Sequence, residues 1–293
     1  MTGEDVFLKV ASEAPDELKE RAALGLERAH GFVMEYGDAL ARCRGDCLVE
    51  GASAEIGAEA IANKQGLDGS FDVLVPHRQG YVVEALRRWE AGDAVLGTLD
   101  ALGMLSDLGQ LTGPCAERAV GFLESVQAAD GSFGGAIEPE DRLSGTAQLG
   151  GLMARTRYVR PEALDGISRF LALYWEPSRV EGGQYFSLSG HASFFTNVKH
   201  EESDAALQWC GRELERGFRQ RRLEACTLLG ILLRCDTATL PGATLTPEEL
   251  LTALLVEQAR DGGFGALEPG GPPARVEPTL DAITASVRLC RSF

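Results

Sequence analysis

The sequence predicts an all-α protein, and three observations support that fold class. Apolar residues recur at spacings of three and four along most of the chain, which is the period of an amphipathic helix. No stretch combines alternating apolar and polar residues with enrichment in β-branched side chains, as half-buried strands do. A turn of the form Gln-x-x-Asp-Gly-(Ser/Gly)-Phe occurs three times, at residues 65–71, 127–133 and 258–264. Repetition of one turn between helices indicates an internal repeat of helical pairs.

The start and stop signals divide the chain into about a dozen helices. Residues 1–14 are expected to be a loose lead-in. Pro15 then opens a helix with acidic residues in its first turn, and Gly37 is expected to end it. Residues 175–200 are Gly-rich, aromatic and weakly periodic, and they are predicted as a long loop with short helical pieces. The other predicted helices cover residues 52–64, 82–89, 94–108, 114–126, 143–157, 161–174, 201–218, 223–235, 247–258 and 278–289.

The repeated turn is interpreted as a structural element. Its Gly supplies the backbone conformation that ends a helix, and its Phe returns to the core. Its Gln and Asp can bond the exposed carbonyl and amide groups of neighbouring helix ends. None of the turn residues is therefore expected to be catalytic.

Composition and charge restrict the partners. The 293-residue chain has a net charge of −16, which repels nucleic acid and anionic membrane surfaces. No window approaches the roughly 18 apolar residues of a membrane span, and no secretory signal is recognisable at the start. The seven cysteines are odd in number and scattered, which favours a reducing cytoplasm over a disulfide framework.

The helix–turn–helix repeat resembles that of the terpenoid cyclase and protein prenyltransferase superfamily. It is similar to the repeat of squalene–hopene cyclases with Phe in place of Trp, a form closer to prenyltransferase β subunits. The resemblance covers roughly residues 50–293. It implies a single (α/α) toroid domain over residues 1–293, with inner and outer layers of helices around a central hydrophobic cavity. In that family the cavity holds an isoprenoid chain.

The first activity implied by the resemblance is terpene cyclisation started by protonation. The family's acidic motif is most similar here to residues 279–285, in which Asp281 matches the proton-donating carboxyl. Such a donor must be kept protonated by burial and by its neighbours. Asp100 and Asp141 are similar lone acids near helix starts. The alternative interpretation of each acid is a helix cap or a partner of the helix dipole.

The second implied activity is protein prenyl transfer at a zinc site. The matching stretch is residues 187–195, where Ser189 and His191 occupy the family's Asp and Cys ligand positions. Asp281 occupies the position of the distant His ligand. His191 and Asp281 alone make a poor zinc site because a closed site needs more ligands. No metal ligand is therefore assigned, and zinc or magnesium stays open as a cofactor.

An aromatic cluster beside His191 favours an apolar substrate, because aromatic faces stabilise cations in a dry pocket. The alternative is that these side chains are core or a lid. The cluster consists of Tyr174, Trp175, Tyr185, Phe186, Phe194 and Phe195.

The leading hypothesis is thus an isoprenoid-processing enzyme of terpene-cyclase type, acting on an apolar polyene or a prenyl diphosphate. In this hypothesis Asp281 is the preferred proton-donating acid, and His191 is its candidate partner. One alternative is a non-catalytic toroid that binds a hydrophobic ligand or a partner protein. Another is a prenyltransferase β-like subunit that needs an α partner and zinc.

Overall fold

The computed structural model describes residues 15–75, 86–135, 138–265 and 270–291, with the side chains of residues 139–141 excluded. The described residues are all-α: they contain no β-strand, only an isolated bridge between Gln65 and Phe71. Two 3₁₀ turns, Pro177–Arg179 and Pro272–Arg275, accompany the α-helices. The helices are α1 (Pro15–Tyr36), α2 (Ala39–Val49), α3 (Ala54–Ala62), α4 (Gly92–Asp107), α5 (Pro114–Val126), α6 (Pro139–Ala154), α7 (Pro161–Tyr174), α8 (Tyr185–Asn197), α9 (Ser203–Arg219), α10 (Ala225–Cys235), α11 (Pro247–Glu257) and α12 (Val276–Cys290).

Local capping explains several of these boundaries. The Asp38 carboxylate accepts a hydrogen bond of 2.8 Å from the Ala41 amide and caps α2. At α11, the Thr246 hydroxyl accepts from the Glu249 amide at 3.2 Å, as the Thr-Pro-Glu-Glu sequence predicts. These side chains satisfy amide groups that the first turn of a helix leaves without a partner.

The even-numbered helices contact one another in sequence and close a cycle. Contacts join α4 to α6, α6 to α8, α8 to α10, α10 to α12 and α12 to α2. An ion pair of 3.7 Å between Arg44 of α2 and Asp107 of α4 links the two remaining neighbours. The first helix, α1, packs against α12, α2 and α11. Helices near the two ends of the described chain are therefore adjacent in space.

The Gln of each repeated turn forms hydrogen bonds both within its own turn and to a second helix. Its side-chain amide donates to the carbonyl of the turn's own Gly at 2.9 Å in all three copies. The same amide also donates to a second helix: Gln65 to Cys115, Gln127 to Ala163 and Gln258 to Gly25, at 2.8 to 3.0 Å. The predicted structural role of this Gln is therefore confirmed.

The Phe of each turn is anchored to the following even-numbered helix. Its side chain is buried, and its amide donates to a Thr hydroxyl at 3.0 to 3.3 Å. The three acceptors are Thr98 of α4, Thr146 of α6 and Thr279 of α12. Each Thr thus occupies the same position in its repeat, which gives the three helices a common register.

The Gly that follows Asp in each turn requires a left-handed backbone. Gly69, Gly131 and Gly262 have φ values of 91°, 88° and 91°. A methyl group on Gly69 or Gly262 would also lie 2.3 Å from a backbone carbonyl oxygen of a neighbouring helix. The backbone conformation and the packing of the repeated turn therefore leave no room for a side chain.

The prediction of a long loop with short helical pieces over residues 175–200 was wrong, because half of this stretch is the continuous helix α8. Residues 187–195 are buried without interruption, so the helix lacks the one-sided apolar stripe on which the sequence prediction depends. Small residues let α8 approach α6 closely: a methyl group on Gly151 would lie 2.3 Å from the Ser193 hydroxyl oxygen.

Further differences from the prediction include one missed helix and several shifted helix ends. Helix α2 was not predicted, α6 begins at Pro139 and α12 begins at Val276. The predicted lead-in over residues 1–14 lies outside the described residues, as does most of the predicted helix over 82–89. Within the described part of the chain, every helix is too short or too polar to span a membrane.

Candidate functional site

A cavity of about 760 Å³ lies among the even-numbered helices. We call it the central cavity. All six of these helices contribute to its wall, and much of the wall is apolar. One wall residue from each helix in turn is Leu40, Met104, Gln148, Phe186, Ile231 and Val276.

A smaller space of about 60 Å³, the inner chamber, adjoins the central cavity. The two spaces share wall residues, including Gln148, Gly230 and Asp281. Asp107 and Leu233, near the C-terminal ends of α4 and α10, line the chamber but not the central cavity. The chamber therefore lies closer than the central cavity to the C-terminal ends of these helices.

Arg44 forms ion pairs with two acidic side chains at the inner chamber. It is 1 % exposed. One guanidinium nitrogen donates to both carboxylate oxygens of Glu277, at 2.7 and 2.9 Å, and another lies 3.7 Å from Asp107. Burial acts against the charged guanidinium, but Glu277 and Asp107 raise the pKa of Arg44 above its usual value. Arg44 is thus a fixed positive charge that joins α2, α4 and α12.

Asp107 is the acid whose protonation changes near neutral pH. Burial, reinforced by the negative charge of Asp281, raises its pKa to about 7, although Arg44, Arg288 and Arg234 act in the opposite direction. Its side chain is 15 % exposed. A carboxyl group with this pKa is present in both protonation states at pH 7, as a general acid requires.

The repeat register explains which side chains face the chamber. Two residues after Thr98, Thr146 and Thr279 stand Asp100, Gln148 and Asp281, and all three line it. Asp281 also lines the central cavity. Two of the acids suggested by the sequence therefore come together at one place. The side chain of the third, Asp141, lies outside the described residues.

His191 has a different environment from Asp281. It is fully buried, and its Nδ1–H donates to the Ser187 carbonyl at 2.8 Å. Its ring packs 5.2 Å from that of Trp175. Burial lowers the pKa of His191 to about 4, so the ring is neutral at pH 7. Of the two, only Asp281 is among the described wall residues of the cavities.

The aromatic cluster divides between the cavity and the core. Tyr185 and Phe186 line the central cavity. The other four members pack against core side chains: Phe194 and Phe195 have ring centres 5.5 Å apart, Trp175 lies 6.0 Å from Phe195, and Tyr174 lies 5.1 Å from Phe170. Two of the six predicted wall residues are therefore found on the wall.

The described residues hold no group of three or more His, Cys, Asp or Glu side chains that could bind a metal ion. Ser189, at one of the prenyltransferase ligand positions, lines the central cavity together with Asp281. All seven cysteines lie within the described residues and are free thiols.

Sequence reasoning missed the charged residues at the base of the site. Nine residues after Thr98 and Thr146 stand Asp107 and Arg155, both on the chamber wall. Nine residues after Thr279 stands Arg288, whose charge acts on Asp107. Alignment of the three copies on their Thr residues is the signal that identifies these positions.

Comparison with protein-family models finds no match for this chain, and a search of curated proteins finds none either. The functional assignment therefore depends on the cavity and on the acids at its base.

Proposed function

We propose that the chain is an (α/α) toroid enzyme that processes an isoprenoid, with the reacting double bond at the inner chamber and protonation by a carboxyl group of the Asp107–Asp281 pair. The closed cycle of even-numbered helices and the threefold turn support the toroid. The observation that carries the proposed chemistry is Asp107, an acid with a pKa of about 7 on the wall of the inner chamber, which adjoins the central cavity.

The cavity has the size and lining that such a substrate needs. A volume of about 760 Å³ falls in the range of ligand sites, roughly 300–1,000 Å³. Leu40, Met104 and Ile231 supply apolar wall, and Tyr185 and Phe186 supply aromatic rings that favour a cation.

The charges favour Asp107 as the donor within the pair. Transfer of its proton to an alkene carbon leaves a carbocation on the substrate and a carboxylate on Asp107. Arg44, 3.7 Å away, stabilises that carboxylate. Asp281, as a neighbouring negative charge, keeps the proton on Asp107 before reaction. Transfer of a proton from the cation back to the Asp107 carboxylate then forms the product alkene and returns the site to its starting state.

A second function, binding of a hydrophobic ligand without catalysis, is favoured by the ion pairs of Arg44 at the inner chamber. Asp107 and Glu277 both interact with Arg44, which ties three helices together. In that case the acids stabilise the fold, and the apolar wall alone serves the ligand. A prenyltransferase β-like subunit is the third candidate, supported by the resemblance and by the shared position of Ser189 and Asp281 on the cavity wall.

Product analysis separates these functions. The purified protein is incubated with prenyl diphosphates and with squalene-like polyenes, and products are identified by gas chromatography and mass spectrometry. Asp107→Asn is expected to lower the rate at least about 100-fold, the usual contribution of a general acid. Asp281→Asn removes the charge that raises the pKa of Asp107 and is expected to lower the rate by less. Asp165→Asn, at an exposed position of α7, is the matched control.

Each other outcome selects another function. Ligand binding without any product supports the binding toroid. Stoichiometric zinc in the purified protein, together with prenylation of a peptide when an α partner is supplied, supports the third candidate. Full activity in both Asn variants rules out protonation by this pair.

A further inference from the structure

Gly230 lies where the central cavity meets the inner chamber. It belongs to α10 and lines both spaces. Because Gly has no side chain, the passage at this point is bounded by its neighbours on the wall. A methyl group at Gly230 would lie 3.4 Å from an Arg234 guanidinium nitrogen and 3.5 Å from an Asp281 carboxylate oxygen.

These distances are ordinary contact distances, so a small side chain fits at this position without displacing backbone. Gly in a helix interior is unfavourable compared with Ala. Nothing in the packing of α10 at this position therefore requires Gly, whereas Gly131 and Gly262 are held by close backbone contacts. A side chain added at Gly230 would therefore project towards the Arg234 guanidinium and the Asp281 carboxylate.

We infer that Gly230 determines specificity, by admitting the terminal group of a slender apolar ligand from the central cavity into the inner chamber. This inference rests on the proposed function, because it assumes an apolar ligand in the central cavity. The chamber's volume of about 60 Å³ limits that group. Since one water-sized probe occupies about 10–15 Å³, the chamber takes on the order of four non-hydrogen atoms.

A series of linear alcohols measures the depth of the site. Primary alcohols of increasing chain length displace the neutral fluorescent probe N-phenyl-1-naphthylamine from the purified protein. In the wild type, each added methylene strengthens binding by up to about fourfold, until the chain end reaches the base of the chamber. In Gly230→Val, added methylenes stop strengthening binding at a chain about four carbons shorter than in the wild type. In Gly230→Ala, they stop at a length between those of the wild type and Gly230→Val.

Gly121→Ala is the matched control. Gly121 also lies inside a helix, α5, is exposed, and has nothing within 4 Å of an added methyl group. It should reproduce the wild-type series. Circular dichroism checks that all three variants keep the helical content of the wild type.

The inference is overturned if alcohol binding reaches its plateau at the same chain length in the wild type and in Gly230→Val. It is also overturned if no alcohol displaces the probe from the wild type. A shortened plateau in the variant, in a protein that converts no polyene, supports the role of Gly230 while the proposed enzymatic function fails. The two proposals are therefore tested separately.

Discussion

Replacement of Arg44 by Met tests the charge network at the base of the cavity. The substitution keeps most of the side-chain volume and removes the guanidinium. Glu277 then loses two hydrogen bonds, of 2.7 and 2.9 Å, and Asp107 loses a positive charge 3.7 Å away. Breaking a buried ion pair by removing one partner costs about 3–5 kcal/mol. We expect a loss near the lower limit, about 3 kcal/mol, because Glu277 is 28 % exposed.

Urea unfolding at pH 7 measures this loss as a lower midpoint at an unchanged slope. Arg44 also lowers the pKa of Asp107, so its removal raises that pKa above about 7. A raised carboxyl pKa in the folded state costs stability as pH rises from the unfolded value toward the folded one. Arg44→Met should therefore lose more stability between pH 5 and pH 8 than the wild type does.

The controls isolate the buried pair. Arg118→Met, at an exposed position of α5, should change the free energy of unfolding by less than about 0.5 kcal/mol. Adding Glu277→Gln to Arg44→Met should restore at least about 1 kcal/mol, because the unpaired carboxylate is removed. A loss below about 1 kcal/mol in Arg44→Met, or the same loss at pH 5 and pH 8, would show that this network contributes little.

Three other predictions concern stability. Gln127→Leu removes the bonds to the Gly131 and Ala163 carbonyls and should lower the free energy of unfolding in urea by about 2 kcal/mol; a change below 0.5 kcal/mol would contradict the role of the turn. His191 has a folded pKa lowered to about 4, so its contribution to stability is complete above the unfolded pKa and is lost as pH falls toward 4. As pH falls from 7.5 to 4, the wild type should therefore lose about 3 kcal/mol more of its free energy of unfolding than His191→Phe does. Parallel pH profiles of the two proteins would refute this. Thr246→Ala should cost about 1 kcal/mol in thermal unfolding, and Thr246→Ser should not; equal effects would exclude the cap.

The parts of the fold that local chemistry specifies were predictable from the sequence. Thr246 caps α11 as expected, and Gln127 bonds a neighbouring helix as expected. Helix α8 was not predictable in the same way. Its residues 187–195 are buried on every side, so no contrast between a polar and an apolar face marks it as a helix.

The site was predictable only in part, because its charges come from distant positions. Asp281 was identified as an acid, and the structure places it on the chamber wall. Arg44 and Glu277 are 233 positions apart, and no local pattern connects them. The shift of the Asp107 pKa depends on burial and on neighbours from other helices, which a single sequence does not reveal.

The bond from Gln258 to the carbonyl of Gly25 has a consequence for synthesis on the ribosome. The third turn closes on α1, 233 positions earlier in the chain. At about 5–20 residues per second, helix α1 emerges roughly 10–50 s before its partner does. During that interval the buried face of α1, with Ala22, Phe32 and Val33, lacks its native cover. Slower translation lengthens this interval and should therefore lower the yield of folded protein, whereas chaperone binding to α1 should raise it.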